Sequence, residues 1–256
     1  YGSVLVQITL VLGIVVAYKP LEIRPAWLRR DGLLMLLSLF VLTALLWQGG
    51  GLSRLEGLIL CLIYCLYLVW LLNDTEKIRE DEKKIVTEIK TKDFSWTGTA
   101  YMVMVILGLT FAVYSANELI KYACDIAYKL DVPHAIVGST MSGLGTSLPE
   151  LTVAMVAVRK SQGVAIGTLI GSNITDPLLS IGIAAIVSPI SLTDASYDLT
   201  MYLIIPATIL GASICLAMMW SGFRFSRYEG SILIGFYVIF LILIELQRQG
   251  YLNAWI

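Results

Sequence analysis

The stretch Trp47-Gln48-Gly49-Gly50-Gly51-Leu52-Ser53-Arg54-Leu55-Glu56-Gly57 returns 173 residues later as Trp220-Ser221-Gly222-Phe223-Arg224-Phe225-Ser226-Arg227-Tyr228-Glu229-Gly230. The tryptophan, the Ser-Arg pair and the Glu-Gly pair keep one offset, and each copy leads into an apolar segment, at 58–72 and 231–246. Leucine and isoleucine matches arise easily by coincidence in apolar chains, whereas these residue types at one fixed spacing do not. The pattern therefore predicts an internal repeat.

A second pair of segments repeats at an offset of 169. Gly2-Ser3 followed by Leu12-Gly13-Ile14 corresponds to Gly171-Ser172 followed by Ile181-Gly182-Ile183. The difference of four residues between the two offsets falls between the two matches, where a loop can absorb it. Both matches therefore belong to one repeat.

The composition indicates a protein that resides in lipid. Hydrophobic residues make up 57% of the chain, only 14% of the residues are charged, and the mean hydropathy is +0.80. Soluble domains carry roughly 25% charged residues, so the excess apolar surface must face a bilayer. The net charge of -1 provides no basic field for binding nucleic acid.

Eight segments are apolar enough to be membrane-spanning helices, which need about 20 mostly apolar residues. None shows the polar–apolar alternation of a barrel strand. The predicted spans are 3–18, 32–48, 55–72, 98–120, 134–158, 163–187, 198–220 and 229–246. The fold class that follows is an all-α polytopic membrane protein.

The sizeable polar segment, 73–97, is predicted to be a solvated linker. If it is cytoplasmic, alternating sides along the eight spans places 14 of the 18 lysines and arginines on the cytoplasmic side. This agrees with the positive-inside rule. The shortness of the linker favours a prokaryotic inner membrane.

The two repeats differ in their number of spans. The second repeat, 98–256, contains five, whereas the first, 1–72, contains three. An odd number makes consecutive repeats enter the membrane from opposite sides, which is the inverted-topology construction of secondary transporters. Because Gly2 falls roughly 70 residues into its repeat by this register, we expect two spans and the start of a third to precede Tyr1.

Two spans of the second repeat, at 138–151 and 167–177, combine glycine, hydroxyl residues, a proline and one carboxylate at mid-depth. Pro149 removes a backbone donor and is expected to disturb the helix before it. A carboxylate at this depth costs at least ~2.5 kcal/mol and is usually functional. Calcium takes six to eight oxygen ligands. The predicted hard oxygen ligands are Glu150, Thr146, Ser172, Asn173 and Asp176.

Structural roles remain open for the same residues. Asp176, which precedes Pro177, could cap a half-helix. Ser172 and Thr146 could hydrogen-bond to helix carbonyls or pack at a helix contact, and Glu150 could pair with a basic side chain. No lysine or arginine lies at mid-span to neutralise Glu150, which favours a bound metal ion.

Three motifs between 138 and 177 resemble the second alpha-repeat of sodium/calcium exchangers of the cation/calcium antiporter superfamily. They are Gly145-Thr146-Ser147-Leu148-Pro149-Glu150-Leu151, the basic turn Arg159-Lys160, and Gly171-Ser172-Asn173-Ile174-Thr175-Asp176. Gly2-Ser3-Val4-Leu5-Val6-Gln7 resembles the end of the first alpha-repeat. The resemblance implies a fold of five plus five spans, of which about eight are present, with a cytoplasmic linker between the halves. The ligands that it implies are Glu150, Thr146, Ser147, Gly143, Ser172, Asp176, Ser3 and Gln7.

The sequence departs from the family pattern at two places. Val4 stands where the second repeat has Asn173. The first repeat's own Gly-Thr-Ser-x-Pro-Glu does not occur in these residues, so its central carboxylate cannot be named. A chain without that carboxylate is expected to form an incomplete site.

The function implied by the resemblance is sodium-for-calcium antiport by alternating access, with calcium, sodium and lipid as partners and no cofactor beyond the transported ions. Proton-coupled antiport of calcium or another divalent cation is the nearest alternative. An intramembrane hydrolase is a distant one, because the spans lack paired catalytic aspartates, a metalloprotease histidine motif and a Ser/His pair. A membrane scaffold would have no use for Glu150 and Asp176. The protein is therefore predicted to be a transporter and not an enzyme.

Overall fold

The computed structural model describes residues 1–73, 98–130, 132, 134–192 and 194–249, and these form an all-α protein with eight helices. In chain order the helices are Gly2–Tyr18 (α1), Pro25–Gly49 (α2), Arg54–Asn73 (α3), Gly98–Leu130 (α4), Ala135–Lys160 (α5), Gln162–Val187 (α6), Ser196–Trp220 (α7) and Arg227–Arg248 (α8). Four two-residue strands join them, at Leu21–Glu22 (β1), Gly51–Leu52 (β2), Ile190–Ser191 (β3) and Arg224–Phe225 (β4).

Every predicted span coincides with a helix, which confirms a multi-pass membrane protein. Six of the helices in the described residues, α2, α3 and α5–α8, are long and apolar enough to cross a membrane. The helix α1 is apolar but shorter, and the apolar stretch found in α4 is Thr99–Gly108. The helix predicted at 32–48 begins earlier, at Pro25, and the one predicted at 98–120 continues to Leu130. The predicted linker, 73–97, lies outside the described residues except for Asn73.

The two copies of the repeated Ser-Arg-x-Glu motif form the same local structure. The backbone N–H and the hydroxyl of Ser53 both donate to Glu56 Oε2 at 2.7 Å, and the Glu56 N–H donates to Ser53 Oγ. Ser226 and Glu229 make the same three hydrogen bonds, two of them also at 2.7 Å. Such a reciprocal capping box fixes a helix start, so the motif begins α3 and α8 identically.

The strands pair between the repeats rather than within them. β1 pairs with β4 and β2 pairs with β3, both antiparallel. β1 and β3 are equivalent at the offset of 169, and β2 and β4 at 173, so each ladder is the image of the other. The first ladder marks one end of the helix bundle, here the β1–β4 face, and the second marks the opposite β2–β3 face. Because α3 starts at the β2–β3 face and α8 at the β1–β4 face, the repeat is inverted.

Close contacts at glycines also join one repeat to the other. A Cβ built on Gly57 would lie 2.6 Å from the carbonyl oxygen of Gly182, and one built on Gly230 would lie 2.8 Å from that of Gly13. Gly57 and Gly230 are repeat equivalents, as are Gly13 and Gly182. Glycine lets the helix backbones approach this closely. The last helix of each repeat therefore packs on a helix of the other repeat, α3 on α6 and α8 on α1.

Single π-helical turns widen five of the helices in the described residues. They lie at Gln7–Val11, Leu28–Gly32, Gly138–Ser142, Asp176–Ser180 and Thr200–Ile204. Such turns occur frequently at functional sites. Those at Gln7–Val11 and Asp176–Ser180 are equivalent at the offset of 169, and each begins with a predicted site residue.

One pair of equivalent tyrosines yields a prediction for stability. The Tyr64 hydroxyl lies 3.2 Å from Thr175 Oγ1, whereas the buried Tyr237 hydroxyl has no hydrogen-bond partner in the described part of the chain. The equivalent of Thr175 is Val6, which cannot accept a hydrogen bond. We expect Tyr237→Phe to leave the unfolding free energy unchanged or raise it by about 1 kcal/mol, and Tyr64→Phe to lower it by about 1 kcal/mol. Denaturation in detergent measures both, and equal losses would contradict the assignment.

Candidate functional site

The helix that carries Glu150 remains regular through its proline. α-Helical geometry runs from Gly143 to Lys160 with Pro149 inside it. The irregularity predicted before Pro149 instead lies earlier, at the π-turn Gly138–Ser142. The sequence-based expectation was therefore wrong in position, because a proline removes only one donor and the surrounding turns retain theirs.

The start of α5 packs against α1 at backbone distance. A Cβ built on Gly143 would lie 2.8 Å from the carbonyl carbon of Gly2, and one built on Gly2 would clash with the Cα of Ser139. Gly143, which was predicted to offer a carbonyl to the ion, thus sets the distance between the repeats. Its carbonyl accepts hydrogen bonds from Thr146 Oγ1 at 3.1 Å and Ser147 Oγ at 2.7 Å.

A hydroxyl network joins this contact to Asp176. Ser3 Oγ lies 3.4 Å from Ser147 Oγ and donates to Asp176 Oδ2 at 3.4 Å. Asp176 has helical backbone angles and lies inside the continuous helix α6, so the alternative in which it caps a half-helix is wrong. The carboxylate instead faces Ser3 of the other repeat.

Gln7 extends the network to α6. Its Nε2 donates to Ser3 Oγ at 3.2 Å, and its Oε1 accepts from Ser172 Oγ at 2.8 Å. Ser172 Oγ also donates to the Leu169 carbonyl at 3.0 Å. The buried Gln7 amide therefore bridges two serines that are repeat equivalents, Ser3 and Ser172.

Glu150 lies on α5, three residues after Ser147 of this network. It is half-buried, and its Oε2 is buried with no hydrogen-bond partner among the residues the structure describes. It is close enough to Asp176 for the two charges to interact. Among those residues no ion pair involves Glu150, so the pairing alternative receives no support. Two carboxylates in a low dielectric repel each other, and a cation between them would relieve that repulsion.

A cavity of about 240 Å³, the open cavity, lies against Asp176 in the half of the protein nearer the β2–β3 face. Its walls come from α1, α2, α5 and α6. The lining residues are Tyr1, Ser3, Val4, Leu39, Leu42, Thr146, Asp176, Pro177, Ser180 and Ile181. Thr146 donates its own proton to the carbonyls of Ser142 and Gly143, so its oxygen lone pairs remain available to an ion. Asp176, Ser3 and Thr146 thus line one cavity.

Asn173 lies on another side of α6. Its Nδ2 donates to the Leu169 carbonyl at 2.6 Å, and its buried Oδ1 has no hydrogen-bond partner in the described residues. It lines a second cavity of about 10 Å³, the closed cavity, in the half nearer the β1–β4 face. The other lining residues are Gln7, Ile8, Leu12, Met35, Leu169, Ile170, Cys215 and Met219. Asn173 is thus separated from the open cavity, which Asp176 of the same helix lines.

One polar residue of the open cavity was missed by sequence reasoning. Ser180 is exposed, and no hydrogen bond of its hydroxyl is found within the described ranges. It lies four residues after Asp176, so a helical register alone could have placed the two on one face. The predicted ligands that the structure brings together are Ser3, Gln7, Gly143, Thr146, Ser147, Ser172 and Asp176, with Glu150 beside them.

The arrangement gathers oxygen atoms of the types that hard cations prefer. It supplies two carboxylates, hydroxyls and an amide, which are the ligand types of calcium and sodium. No group of three or more His, Cys, Asp or Glu side chains that could hold a metal ion is found among the described residues. A cation bound here would therefore need hydroxyl and carbonyl oxygens to complete its coordination shell.

Comparison with known proteins gives a family match over most of the chain. The family model described as sodium/calcium exchanger protein matches residues 1–73 and 100–244. Both halves of the repeat lie within the match, as does every predicted ligand. The match is therefore not confined to one motif.

Three curated relatives are similar to the chain. The sodium/calcium exchanger MaX1 of Methanosarcina acetivorans is 34% identical over 140 residues, 54% of this chain and 39% of the relative. The inner membrane protein YrbG of Escherichia coli is 28% identical over 84% of this chain and 66% of the relative. The putative antiporter CaxA of Alkalimonas amylolytica is 27% identical over 91% of this chain and 73% of the relative. The chain thus spans less than two thirds of the length of MaX1 and of YrbG.

Solved structures share the fold. The sodium-calcium exchanger NCX_Mj soaked with 2.5 mM Na+ and 1 mM Sr2+ matches with a TM-score of 0.62 at 22% identity, covering 93% of this chain and 73% of that chain. The same exchanger soaked with 10 mM Na+ and zero Ca2+ matches with a TM-score of 0.60 at 23% identity. These matches confirm the predicted fold class, an all-α membrane protein with an inverted repeat.

Proposed function

Because the chain belongs to the sodium/calcium exchanger protein family, we propose that it is the ion-binding part of a secondary antiporter that exchanges sodium for calcium. The ions bind at mid-depth, between the repeats, at Glu150, Asp176 and the surrounding hydroxyls. Sodium and calcium compete for overlapping oxygen ligands, and the protein exposes the occupied site to each side in turn.

The observation that carries this proposal is the unpartnered carboxylate oxygen of Glu150. A buried charged group without a hydrogen bond is strongly destabilising, and the described residues offer it no cation. Its proximity to Asp176 adds repulsion. A bound metal ion would remove both costs, which supports a cation as the natural occupant.

Without bound ions, the protein resists the conformational change that exposes the site to the other side. Bare carboxylates are costly to carry through a low dielectric, so the protein switches sides readily only when cations neutralise them. Ser3 and Gln7 hold Asp176 and Ser172 in place through hydrogen bonds from the other repeat. Ion binding and the relative position of the repeats are thereby coupled.

The orientation in the membrane is part of the proposal. Lysines and arginines adjoin the β1–β4 face at Lys19, Arg24, Arg159, Lys160 and Arg227. By the positive-inside rule this face is cytoplasmic. The linker at 73–97 would lie on the same side. A prokaryotic inner membrane would host the protein, in line with the relative YrbG, which is named an inner membrane protein.

Flux measurements in proteoliposomes test the coupling. The protein, with any residues that flank this sequence in its natural chain, is reconstituted into liposomes. The liposomes contain sodium, and calcium is added outside. We expect calcium uptake that depends on the outward sodium gradient and vanishes when internal sodium is replaced by choline. Uptake driven by a pH gradient without sodium would contradict sodium coupling and indicate a proton-coupled antiporter, and no uptake under either gradient would exclude calcium antiport.

A further inference from the structure

A third cavity of about 290 Å³, here the lateral cavity, lies between α2, α3 and α6. It shares no lining residue with the open cavity or the closed cavity. Its volume is far above the about 10–15 Å³ that one water molecule needs. The lining residues that matter below are Trp27, Arg30, Asp31, Tyr67, Leu68, Gly167 and Gly171.

The lateral cavity lies close to the β1–β4 face, where α2 and α6 begin and α3 ends. Asp31, Tyr67 and Gly167 are five or six residues from those helix ends, which is about 8–9 Å along a helix axis. Trp27 and Tyr67 are residue types that accumulate at the membrane interface, and Leu68 in the wall is exposed. The cavity is therefore open to the boundary between lipid headgroups and acyl chains.

One wall of the lateral cavity holds a charged pair inside a membrane-spanning helix. Arg30 Nε and Nη2 donate to Asp31 Oδ1 and Oδ2 at 2.8 and 3.0 Å, and the two side chains are only 11% and 16% exposed. The Tyr67 hydroxyl donates to Asp31 Oδ1 at 3.1 Å. Asp31 Oδ2 thus accepts a single hydrogen bond within the described residues, although a carboxylate oxygen has two acceptor sites. The cavity therefore meets a positive and a negative group side by side.

The architecture of the inverted repeat does not require this pair. The corresponding π-turn of α7, Thr200–Ile204, contains no charged residue, and the equivalent of Tyr67 is Phe240, which has no hydroxyl. Charged side chains within a span are costly, and a buried ion pair gives little net stability compared with apolar side chains. A ligand that uses both charges would explain why only one repeat carries them.

Two glycines of α6 leave room for such a ligand. Apart from the chain neighbours and the nearby backbone of α6, no heavy atom of the described residues lies within 4 Å of a Cβ built on Gly167 or Gly171. Larger side chains at these two lining positions would occupy the lateral cavity. The backbone of α6 therefore forms one of its walls.

We propose that the lateral cavity binds a phospholipid whose headgroup carries a primary ammonium, of the phosphatidylethanolamine class. The phosphate lies against the Arg30 guanidinium, the ammonium donates to Asp31 Oδ2, and the acyl chains follow the apolar surface at Leu68. A choline headgroup has no N–H to donate, and an anionic headgroup would place its net negative charge beside Asp31. The site is separate from the ion site, so the proposal does not depend on the proposed antiport.

Lipid titration in detergent tests the proposal. The protein, with any residues that flank this sequence in its natural chain, is purified free of lipid. It is titrated with palmitoyl-oleoyl phosphatidylethanolamine, phosphatidylcholine or phosphatidylglycerol, and native mass spectrometry counts the bound lipids. We expect the ethanolamine lipid to bind at least tenfold more tightly than the other two. Equal affinity for the three lipids, or a preference for either of the others, would overturn the proposal.

The headgroup without acyl chains separates a lipid from a soluble ligand. Glycerophosphoethanolamine offers the same phosphate and ammonium but buries no apolar chain. We expect it to displace the ethanolamine lipid only at a concentration at least a hundredfold higher. Displacement at equal concentration would assign the cavity to a soluble phosphoethanolamine compound and contradict a lipid site.

Gly167→Leu fills the lateral cavity, and Gly235→Leu is its matched control. Gly235 lies on α8, outside the cavity, and a Cβ built there also meets no heavy atom within 4 Å under the same conditions. Leucine is favoured over glycine in helices, so both variants are expected to fold. We expect Gly167→Leu to weaken binding of the ethanolamine lipid at least tenfold and Gly235→Leu to leave it unchanged. Unchanged binding by Gly167→Leu would exclude the cavity as the site.

Removing the charged pair tests headgroup recognition. Arg30→Gln combined with Asp31→Asn removes both charges at once, and Glu245→Gln combined with Arg248→Gln removes an exposed ion pair on α8 as the control. We expect the first double variant to bind the ethanolamine and choline lipids equally and the second to keep the tenfold preference. A preference that survives the first double variant would contradict the assigned contacts. If that variant does not fold, the two leucine variants still decide whether the cavity is the site.

Discussion

Glu150→Gln is expected to abolish sodium-driven calcium uptake, with a loss of at least 100-fold. The substitution retains the size and one oxygen of the side chain but removes the negative charge. Calcium binds carboxylates far better than amides in a low dielectric, and Glu150 Oε2 has no competing hydrogen bond in the described residues. Uptake of radioactive calcium into proteoliposomes under an outward sodium gradient measures the effect.

Glu229→Gln is the matched control for this substitution. Glu229 lies in a capping box at the start of α8, away from the cavity residues, and glutamine satisfies a capping box as well as glutamate does. The control should retain uptake close to that of the unmodified chain. If Glu150→Gln also retained full uptake with normal sodium dependence, the proposed site would be incorrect.

Gly143→Val is expected to produce the largest loss of folded protein. A Cβ at this position would lie 2.8 Å from the carbonyl carbon of Gly2, and the contacted atoms are backbone that cannot rotate aside. The helices α1 and α5 must separate, at a cost of roughly 1–3 kcal/mol or more. Ser3 would then move away from Ser147 and Asp176, so calcium binding should disappear in whatever protein still folds. Size-exclusion chromatography, thermal unfolding and calcium titration in detergent measure these effects.

Gly138→Ala provides the control in the same region. Apart from the chain neighbours and the nearby backbone of the same helix, no heavy atom of the described residues lies within 4 Å of a Cβ built on Gly138. Alanine is favoured over glycine in helices by roughly 1 kcal/mol. This variant should be as stable as the unmodified chain or slightly more so. Equal destabilisation by Gly138→Ala and Gly143→Val would show that the close approach of α1 and α5 does not limit stability.

Much of the fold could be predicted from the sequence because lipid imposes simple rules. Apolar length alone locates the helices, and the repeated Ser-Arg-x-Glu motif locates the starts of α3 and α8. The sequence did not reveal which strands and helices of one repeat contact those of the other. The ladder of β1 with β4 and the contact of Gly57 with Gly182 join residues more than 100 positions apart, and no local pattern encodes such a pairing.

The site was predictable in its residue types and less so in its geometry. Ser3, Gln7, Ser147, Ser172 and Asp176 form one hydrogen-bonded network, as a shared site requires. Asn173 shares its motif with Ser172 but points to another side of α6, because consecutive residues of a helix are rotated by about 100°. Ser180 was not predicted because it lies beyond the motif at 171–176. Its spacing of four residues from Asp176 would have placed the two side chains on the same face of the helix.

The exchange of helices between repeats has a consequence for how the chain is made. A ribosome delivers the first repeat before the second, so α3 emerges long before α6, the helix that it packs against. Until α6 is made, the surface of α3 around Gly57 can contact only lipid or an insertion chaperone. Neither half is therefore expected to mature alone, and synthesis stopped before α6 should leave a product that quality-control proteases remove.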